Sequence, residues 1–255
     1  MNYRKIPISR LNEGDRLIQT DDIAIESLVK LTVNQEPLAN LLASPDDCDD
    51  LIIGHLLAEG YISSTTRIDK SNIITKTDIH GTILVDVMIS NLEITPSKSL
   101  GLTTTSCGAC KLDGMELLVN GLPSVKASNE FDSNVLYRGL MEMSENQTGF
   151  IKTGGMHCAG LLTNDGKLQF QSEDIGRHNA VDKVIGNGFN QIEFNDSILL
   201  LSGRCGWDIV AKAARCNIPT IASFGACSSL AASCARSLGI TIHSFVKKNS
   251  SVIIG

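Results

Sequence analysis

A chain of 255 residues, 42% of them hydrophobic, is long enough for one large domain or two small ones with a substantial core, and its composition argues against disorder. A net charge of −6 and an aromatic content of 4% disfavour non-specific phosphate-backbone binding and a stacking platform for single-stranded nucleic acid. No apolar run approaches the roughly 20 residues of a membrane span, the N-terminus lacks an apolar signal-peptide centre, and eight scattered cysteines without an export signal read as reduced thiols in the cytoplasm.

In chain order, residues 1–20 are polar and read as a loosely held N-terminal arm. From Ile23 a partly alternating pattern carrying Leu28, Val29, Leu31 and Val33 predicts one or two strands, broken at Gln35, Glu36 and Pro37. Ser44 then fits a helix N-cap and Pro45 the first helical position, with Asp46 and Asp47 favouring the positive end of the dipole. Leu51, Ile52, His55, Leu56 and Ala58 recur at helical spacing, which puts His55 on a buried face as a satisfied core histidine, and Gly60 stops the helix. Residues 73–77 and 82–90 read as a hairpin through His80 and Gly81. Residues 113–120 read as a short helix, Ser133 caps another through Met143, and 147–155 is a linker at the domain boundary.

The second half is more regular. Strands over 156–163 and 168–171 flank an Asn164-Asp165-Gly166 turn, and a helix follows over 178–185. Strands over 197–201, 218–224 and 240–246 then alternate with helices over 207–215 and 228–238. That alternation predicts an α/β fold with parallel strands and right-handed crossovers. The division is therefore an α+β domain over 21–150 and an α/β domain over 151–255.

Ligands of such sheets bind where strands run into helices. Two junctions have the right character: Ser202-Gly203-Arg204-Cys205-Gly206 and Gly225-Ala226-Cys227-Ser228-Ser229. Each offers glycine, free N–H groups at a helix start and, in the first, an arginine, a combination suited to phosphate oxygens. Neither is a P-loop or a dinucleotide fingerprint. The run Glu173-Asp174-Ile175-Gly176-Arg177-His178-Asn179 is either a capping and ion-pair cluster or a ligand surface, with His178 or His157 as a proton carrier.

The closely spaced cysteine pair is Cys107 and Cys110, inside 103–118, among Thr, Ser and Gly residues that suit a mobile loop over 101–114. It reads as half a metal site, a dithiol centre, a sulfur-carrying thiol or two small core residues. A zinc set of Cys107, Cys110, His157 and Cys158 lacks a second C-x-x-C, and a zinc deaminase would need a Glu where Ala159 stands. Thioredoxin chemistry expects the motif to open a helix straight after a strand. Lys111 beside the pair favours a thiolate, the species that attacks a persulfide.

Over nearly the whole chain these motifs resemble the FdhD/NarQ family of formate dehydrogenase accessory sulfurtransferases. The resemblance rests above all on residues 172–186, Ser-Glu-Asp-Ile-Gly-Arg-His-Asn-Ala-Val-Asp-Lys-Val-Ile-Gly. Thr153-Gly154-Gly155-Met156-His157, Leu201-Ser202-Gly203-Arg204, Cys227-Ser228-Ser229-Leu230-Ala231 and the Cys107–Cys110 pair fall in family order, as does the segment 43–62. The resemblance implies a cytidine-deaminase-like three-layer C-terminal domain without zinc machinery, and a smaller α+β N-terminal domain. It implies a sulfur carrier that takes persulfide sulfur from a cysteine desulfurase of the IscS type. The sulfur would pass to the Mo-bis(molybdopterin guanine dinucleotide) cofactor before its insertion into formate dehydrogenase.

Carried over by position, Cys107 bears the persulfide and Cys110 assists it. Phe245, Val246, Lys247, Lys248, Asn249 and Ser250 form the segment that meets the guanine dinucleotide, its GDP-like or GMP-like moieties held with Gly203, Arg204, Ser228, Ser229, Asp174, Arg177 and His178. The family more often has an Arg in that C-terminal segment, where this chain has lysines, so bidentate arginine geometry is lost there. No resident metal is expected, nor a nucleic-acid or membrane partner; the expected state is a cytoplasmic homodimer. The alternative is a non-catalytic chaperone that only holds the molybdenum cofactor.

Overall fold

The computed structural model describes residues 2–90, 119, 121–126 and 131–255. Cys107, Cys110, the loop over 101–114 and nearly all of the helix expected over 113–120 lie outside the described residues.

The N-terminal residues are not a loose arm. Strands β1 (Tyr3–Asn12) and β2 (Asp15–Ala24) pair antiparallel along their full length, from Tyr3 opposite Ala24 to Asn12 opposite Asp15. Glu13 and Gly14, at φ 46° and 99°, form the two-residue turn whose twist matches a hairpin. Neither strand has a buried residue, so its sequence lacks the apolar alternation that betrays a half-buried strand.

A four-stranded sheet follows, in the order β4-β3-β6-β5, from β3 (Ser27–Val33), β4 (Glu36–Ala43), β5 (Ile73–Thr77) and β6 (Ile83–Val87). β3 and β6 are parallel and the other neighbours antiparallel. The break after β3 falls at Asn34 and Gln35, both at positive φ, so Glu36 and Pro37 belong to β4, a strand the sequence reading missed. The β5–β6 hairpin forms as expected, its turn closed by the Asp78 carboxylate, which accepts from the His80 and Thr82 N–H groups.

Helix α1 (Cys48–Ala58) starts later than Ser44, at Asp47, which has φ 55° and makes no side-chain cap. Ser44 is recruited by the tertiary structure instead: its N–H donates to Asp174, and its hydroxyl accepts from the Ile175 N–H. Nine residues of α1 are buried, so it is enclosed on nearly every side rather than amphipathic. Helix α2 (Ser133–Glu145) is capped one residue earlier than expected, by Asp132, whose carboxylate accepts from Asn134 N–H at 2.9 Å. The expected linker contains helix α3 (Thr148–Thr153), whose first N–H groups, of Gly149 and Phe150, donate at 2.8 Å to the Glu173 carboxylate. A cap supplied from so far along the chain leaves no local signal.

The largest sheet has six strands in the order β12-β11-β10-β9-β7-β8: β7 (His157–Thr163), β8 (Leu168–Asp174), β9 (Ser197–Leu201), β10 (Thr220–Ser223), β11 (Thr241–Lys247) and β12 (Ser250–Ile254). The β9-β10-β11 centre is parallel, as the alternation predicts, and β7 and β8 form the expected antiparallel pair; β7 also runs against β9 and β12 against β11, which gives the sheet antiparallel edges. Its crossover helices are α4 (Arg177–Gly188), α5 (Trp207–Arg215) and α6 (Ser229–Leu238). All five residues of β9 are buried, as both faces are covered. Ile198 and Leu200 point to one side, where Leu136, Leu140 and Met143 of α2 cover them. Leu199 and Leu201 point to the other, into the core shared with α1, α4, α5 and α6.

A buried ion network ties α1, α4 and α5. Lys212 Nζ lies 2.8 Å from Asp182 Oδ1 and 2.6 Å from Glu59 Oε1, Asp182 Oδ2 is 3.2 Å from His55 Nδ1, and Arg215 donates to the Ala58 carbonyl. His55 is thus the satisfied core histidine the helical spacing predicts. Burial pushes the Glu59 carboxyl up, but Lys212, His55 and Arg215 outweigh it and hold the group at about 2 against an ordinary 4.5. A depressed carboxylate stabilises the fold above its unfolded pKa, and the contribution is lost as pH falls through the folded value. Urea midpoints should therefore fall between about pH 4.5 and 2, and Glu59→Gln should flatten part of that slope; an unchanged slope would remove Glu59 from the acid response.

Candidate functional site: a basic cavity at the strand ends

A cavity of about 380 Å³ opens at the carboxyl ends of β9 and β10, lined by Arg177, Arg204, Cys205, Gly206, Ala226, Cys227 and Ser228. Both strand-to-helix junctions picked out in the sequence meet there, with the first residue of α4. The two loops are stitched together: Cys205 N–H donates to Ala226 O at 3.0 Å, Ser228 N–H donates to Cys205 O at 3.1 Å, and Cys205 and Cys227 pair as a parallel bridge. Gly225 lets the backbones meet, since a Cβ there would stand 2.8 Å from Gly203 O. Behind the loops, Ser228 caps α6 by accepting from Ala231 N–H, whereas α5 begins at Gly206 with no side-chain cap. Two guanidinium groups beside a helix start suit an anion, with one N–H of that start, that of Ile209, already donating to Asp208 Oδ1 at 3.0 Å.

The expected site residues fall into three groups. Arg177, Arg204 and Ser228 line the cavity, with Gly203 and Ser229 next to them in the chain. His178 is buried behind it, its Nε2 bonded to Asp208 and its Nδ1 without a partner in the described residues. Asp174 is completely buried; it binds Lys183 at 2.8 Å and accepts from the Ser44 and Gly176 N–H groups and the Asn179 amide. Its role in this geometry is to fix the loop that presents Arg177.

The segment from Phe245 to Ser250 sits at the β11–β12 turn. A register shift between Ser244 and Lys247 turns Phe245 out at φ 51°, half exposed, with its N–H on Gly225 O. Lys247, Lys248, Asn249 and Ser250 are exposed, while the Val246 side chain is buried against the α2 side of the sheet. Phe245 thus stands beside the second cavity loop with half of its surface exposed.

Asp208 is the residue the sequence reading missed. Burial raises its carboxyl, but the His178 bond and the charges of His178 and Arg177 outweigh that and hold it below the usual range. Arg177 lies 3.7 Å away. An acid in the first turn of a helix already has a sufficient explanation in the helix dipole, so nothing in the sequence marked it. His157 lies by Gly203, where a Cβ would approach its Nδ1 to 3.3 Å. Burial, then Arg177, His178 and Arg204, lower its pKa, favouring a neutral imidazole.

Among the described residues no group of three His, Cys, Asp or Glu is placed to hold a metal ion. His157 and Cys158, neighbours on β7, point to opposite faces, and Cys158 is buried under α2. No helix among the described residues is long and apolar enough to cross a membrane.

A sheet whose parallel strand ends open into an arginine-lined cavity defines an α/β protein with a basic cleft at its strand-to-helix junctions. The chain belongs to the FdhD/NarQ family, whose sequence profile matches residues 24–254. It is 34% identical over 255 residues to a sulfur carrier protein FdhD of Sulfolobus acidocaldarius, covering 98% of this chain and 95% of that one. It is 32% identical over 247 residues to the FdhD of Corynebacterium efficiens, covering 90% and 87%. A crystal structure of a candidate formate dehydrogenase accessory protein from Desulfotalea psychrophila superposes with a TM-score of 0.75 at 22% identity, over 99% of this chain and 96% of that one. That likeness extends the agreement to the fold.

Proposed function

We propose that this protein is a sulfur carrier serving formate dehydrogenase. It accepts sulfane sulfur from a cysteine desulfurase on Cys107, with Cys110 assisting, and delivers it to the Mo-bis(molybdopterin guanine dinucleotide) cofactor. In this reading the second half is a deaminase-type frame without zinc chemistry, and the chain works as a cytoplasmic homodimer. The observation that carries the recipient half is the Arg177–Arg204 cavity. A volume of about 380 Å³ is at the small end of ligand pockets, enough for one phosphate-bearing limb of so large a substrate. Arg177, Arg204 and the start of α5 meet the phosphates, Ser228 and Ser229 add hydroxyls, and the half-exposed Phe245 ring stacks on the guanine. Lys247 and Lys248 hold the outer charge as point cations.

The carrier half follows thiol chemistry. The Cys107 thiolate attacks the outer sulfur of the donor persulfide, forming a Cys107 persulfide and releasing the donor thiolate. Incubation with a cysteine desulfurase and cysteine should add mass in sulfur steps at Cys107 or Cys110, and Arg204→Ala should weaken GDP binding by about tenfold or more. GDP binding without any sulfur gain would favour the cofactor-holding chaperone instead.

A further inference from the structure

Of the six cysteines among the described residues, five are buried; Cys227 alone is partly exposed, and it lines the basic cavity. Its register partner across the stitched loops is Cys205, which lines the same cavity from below with 1% of its surface exposed. Neighbouring strands lie about 4.7–4.9 Å apart, inside the Cα span of about 4.4–6.8 Å that a disulfide can bridge. Thus an accessible thiol, a buried thiol within bridging reach and two arginines share one cavity, and the carrier chemistry assigned to Cys107 uses neither thiol.

We propose that Cys227 and Cys205 form a second sulfur-handling pair, in which Cys227 accepts a sulfane sulfur and Cys205 expels it as hydrosulfide inside the cavity. The inference rests on the sulfur-carrier reading and adds the form in which sulfur reaches its recipient. In the first step the Cys227 thiolate attacks the outer sulfur of a persulfide R–S–SH. A Cys227–S–SH bond forms, the R–S bond to the sulfane sulfur breaks, and R–S⁻ departs; no net oxidation occurs. In the second, Cys205 attacks the Cys227 Sγ, a Cys205–Cys227 disulfide forms, and hydrosulfide leaves with the Cys205 proton. Two thiol sulfurs are oxidised and the sulfane sulfur is reduced to sulfide. A dithiol reductant then restores the pair by exchange.

The division of labour follows from exposure. Cys227 faces the cavity and meets the donor. Burial, with Cys227 and Asp208 beside it, pushes the Cys205 thiol up, so it is the proton-bearing member of the pair and supplies the proton that leaves with the sulfide. Arg177 and Arg204 give positive charge to the anionic persulfide and the departing hydrosulfide.

The test uses the full chain carrying Cys107→Ala and Cys110→Ala, treated anaerobically with glutathione persulfide. The expected result is a sulfur gain on the Cys227 peptide, release of sulfide and a mapped Cys205–Cys227 disulfide. Adding Cys205→Ser should leave the sulfur on Cys227 and drop sulfide release to the protein-free rate; Cys227→Ser should abolish loading. Because Cys205 is a core residue, disulfide mapping in the protein that retains it gives a readout independent of that variant's folding. Loading confined to other cysteines, or a retained Cys205–Cys227 thiol pair after sulfide release, overturns the proposal. Desulfurase loading of the unsubstituted chain at Cys107 is scored separately, so either reading can fail without the other.

Discussion

Gly54→Ala and Gly186→Ala should each destabilise the protein by more than about 3 kcal/mol, enough to deplete the soluble fraction. Helices α1 and α4 cross with their backbones in contact at these two positions. A Cβ on Gly54 would stand 1.7 Å from Asp182 O, and one on Gly186 would stand 1.9 Å from Asp50 O. Both obstacles are backbone atoms, so no rotamer change relieves them and the helices must separate. Separation would loosen Leu51, Ile52 and Leu56 from Val181, Val184 and Ile185, all now at or near zero exposure. It would also pull His55 from Asp182 in the ion network. Helix propensity alone predicts the opposite sign, since Ala is favoured over Gly in a helix interior by about 1 kcal/mol. Urea unfolding of each variant therefore decides the matter by sign: a gain in midpoint would refute the close crossing.

That crossing illustrates what the sequence could and could not reveal. The βα alternation from Ser197 onward was legible because its strands are short apolar runs and its helices carry caps or acids at their starts; β9 and α5 fall where the pattern put them. Local rules failed where a distant residue supplied the local need. Ser44 looks like a helix cap but serves Asp174 and Ile175, and α3 depends on Glu173. The exposed β1–β2 hairpin and strand β12 have too little buried surface to leave a period-two pattern. At the site, glycine, serine and arginine at two consecutive strand-to-helix junctions are the local signal of the cavity. Asp208 and the Cys205–Cys227 pairing leave no local signal because each arises from a contact between segments distant in the chain, two helix starts in the first case and two loops in the second.

The same non-local logic sets the last expectation. Asp174→Asn should cost about 3–5 kcal/mol, and so should Lys183→Met, while the double variant should recover part of the loss. Lys183 and Asp174 are both fully buried and 2.8 Å apart, so removing either charge strands the other away from water. Lys183 has one further acceptor, the Ser44 carbonyl at 3.1 Å, which does not neutralise an ammonium. Replacing both removes the stranded charge and leaves one amide oxygen that can still accept from the Gly176 N–H, while the Ser44 N–H, which used the other carboxylate oxygen, loses its acceptor. Urea denaturation of the two single variants and the double yields the coupling, and additive losses would show that the pair is not a unit. A second readout separates the pair's positioning role from stability. Asp174 fixes Gly176 immediately before Arg177, so the well-folded double variant should bind GDP more weakly than the unsubstituted chain if the ion pair aims that arginine into the cavity. Equal affinity at recovered stability would confine the pair to the core and leave Arg177 positioned by Asp208 alone.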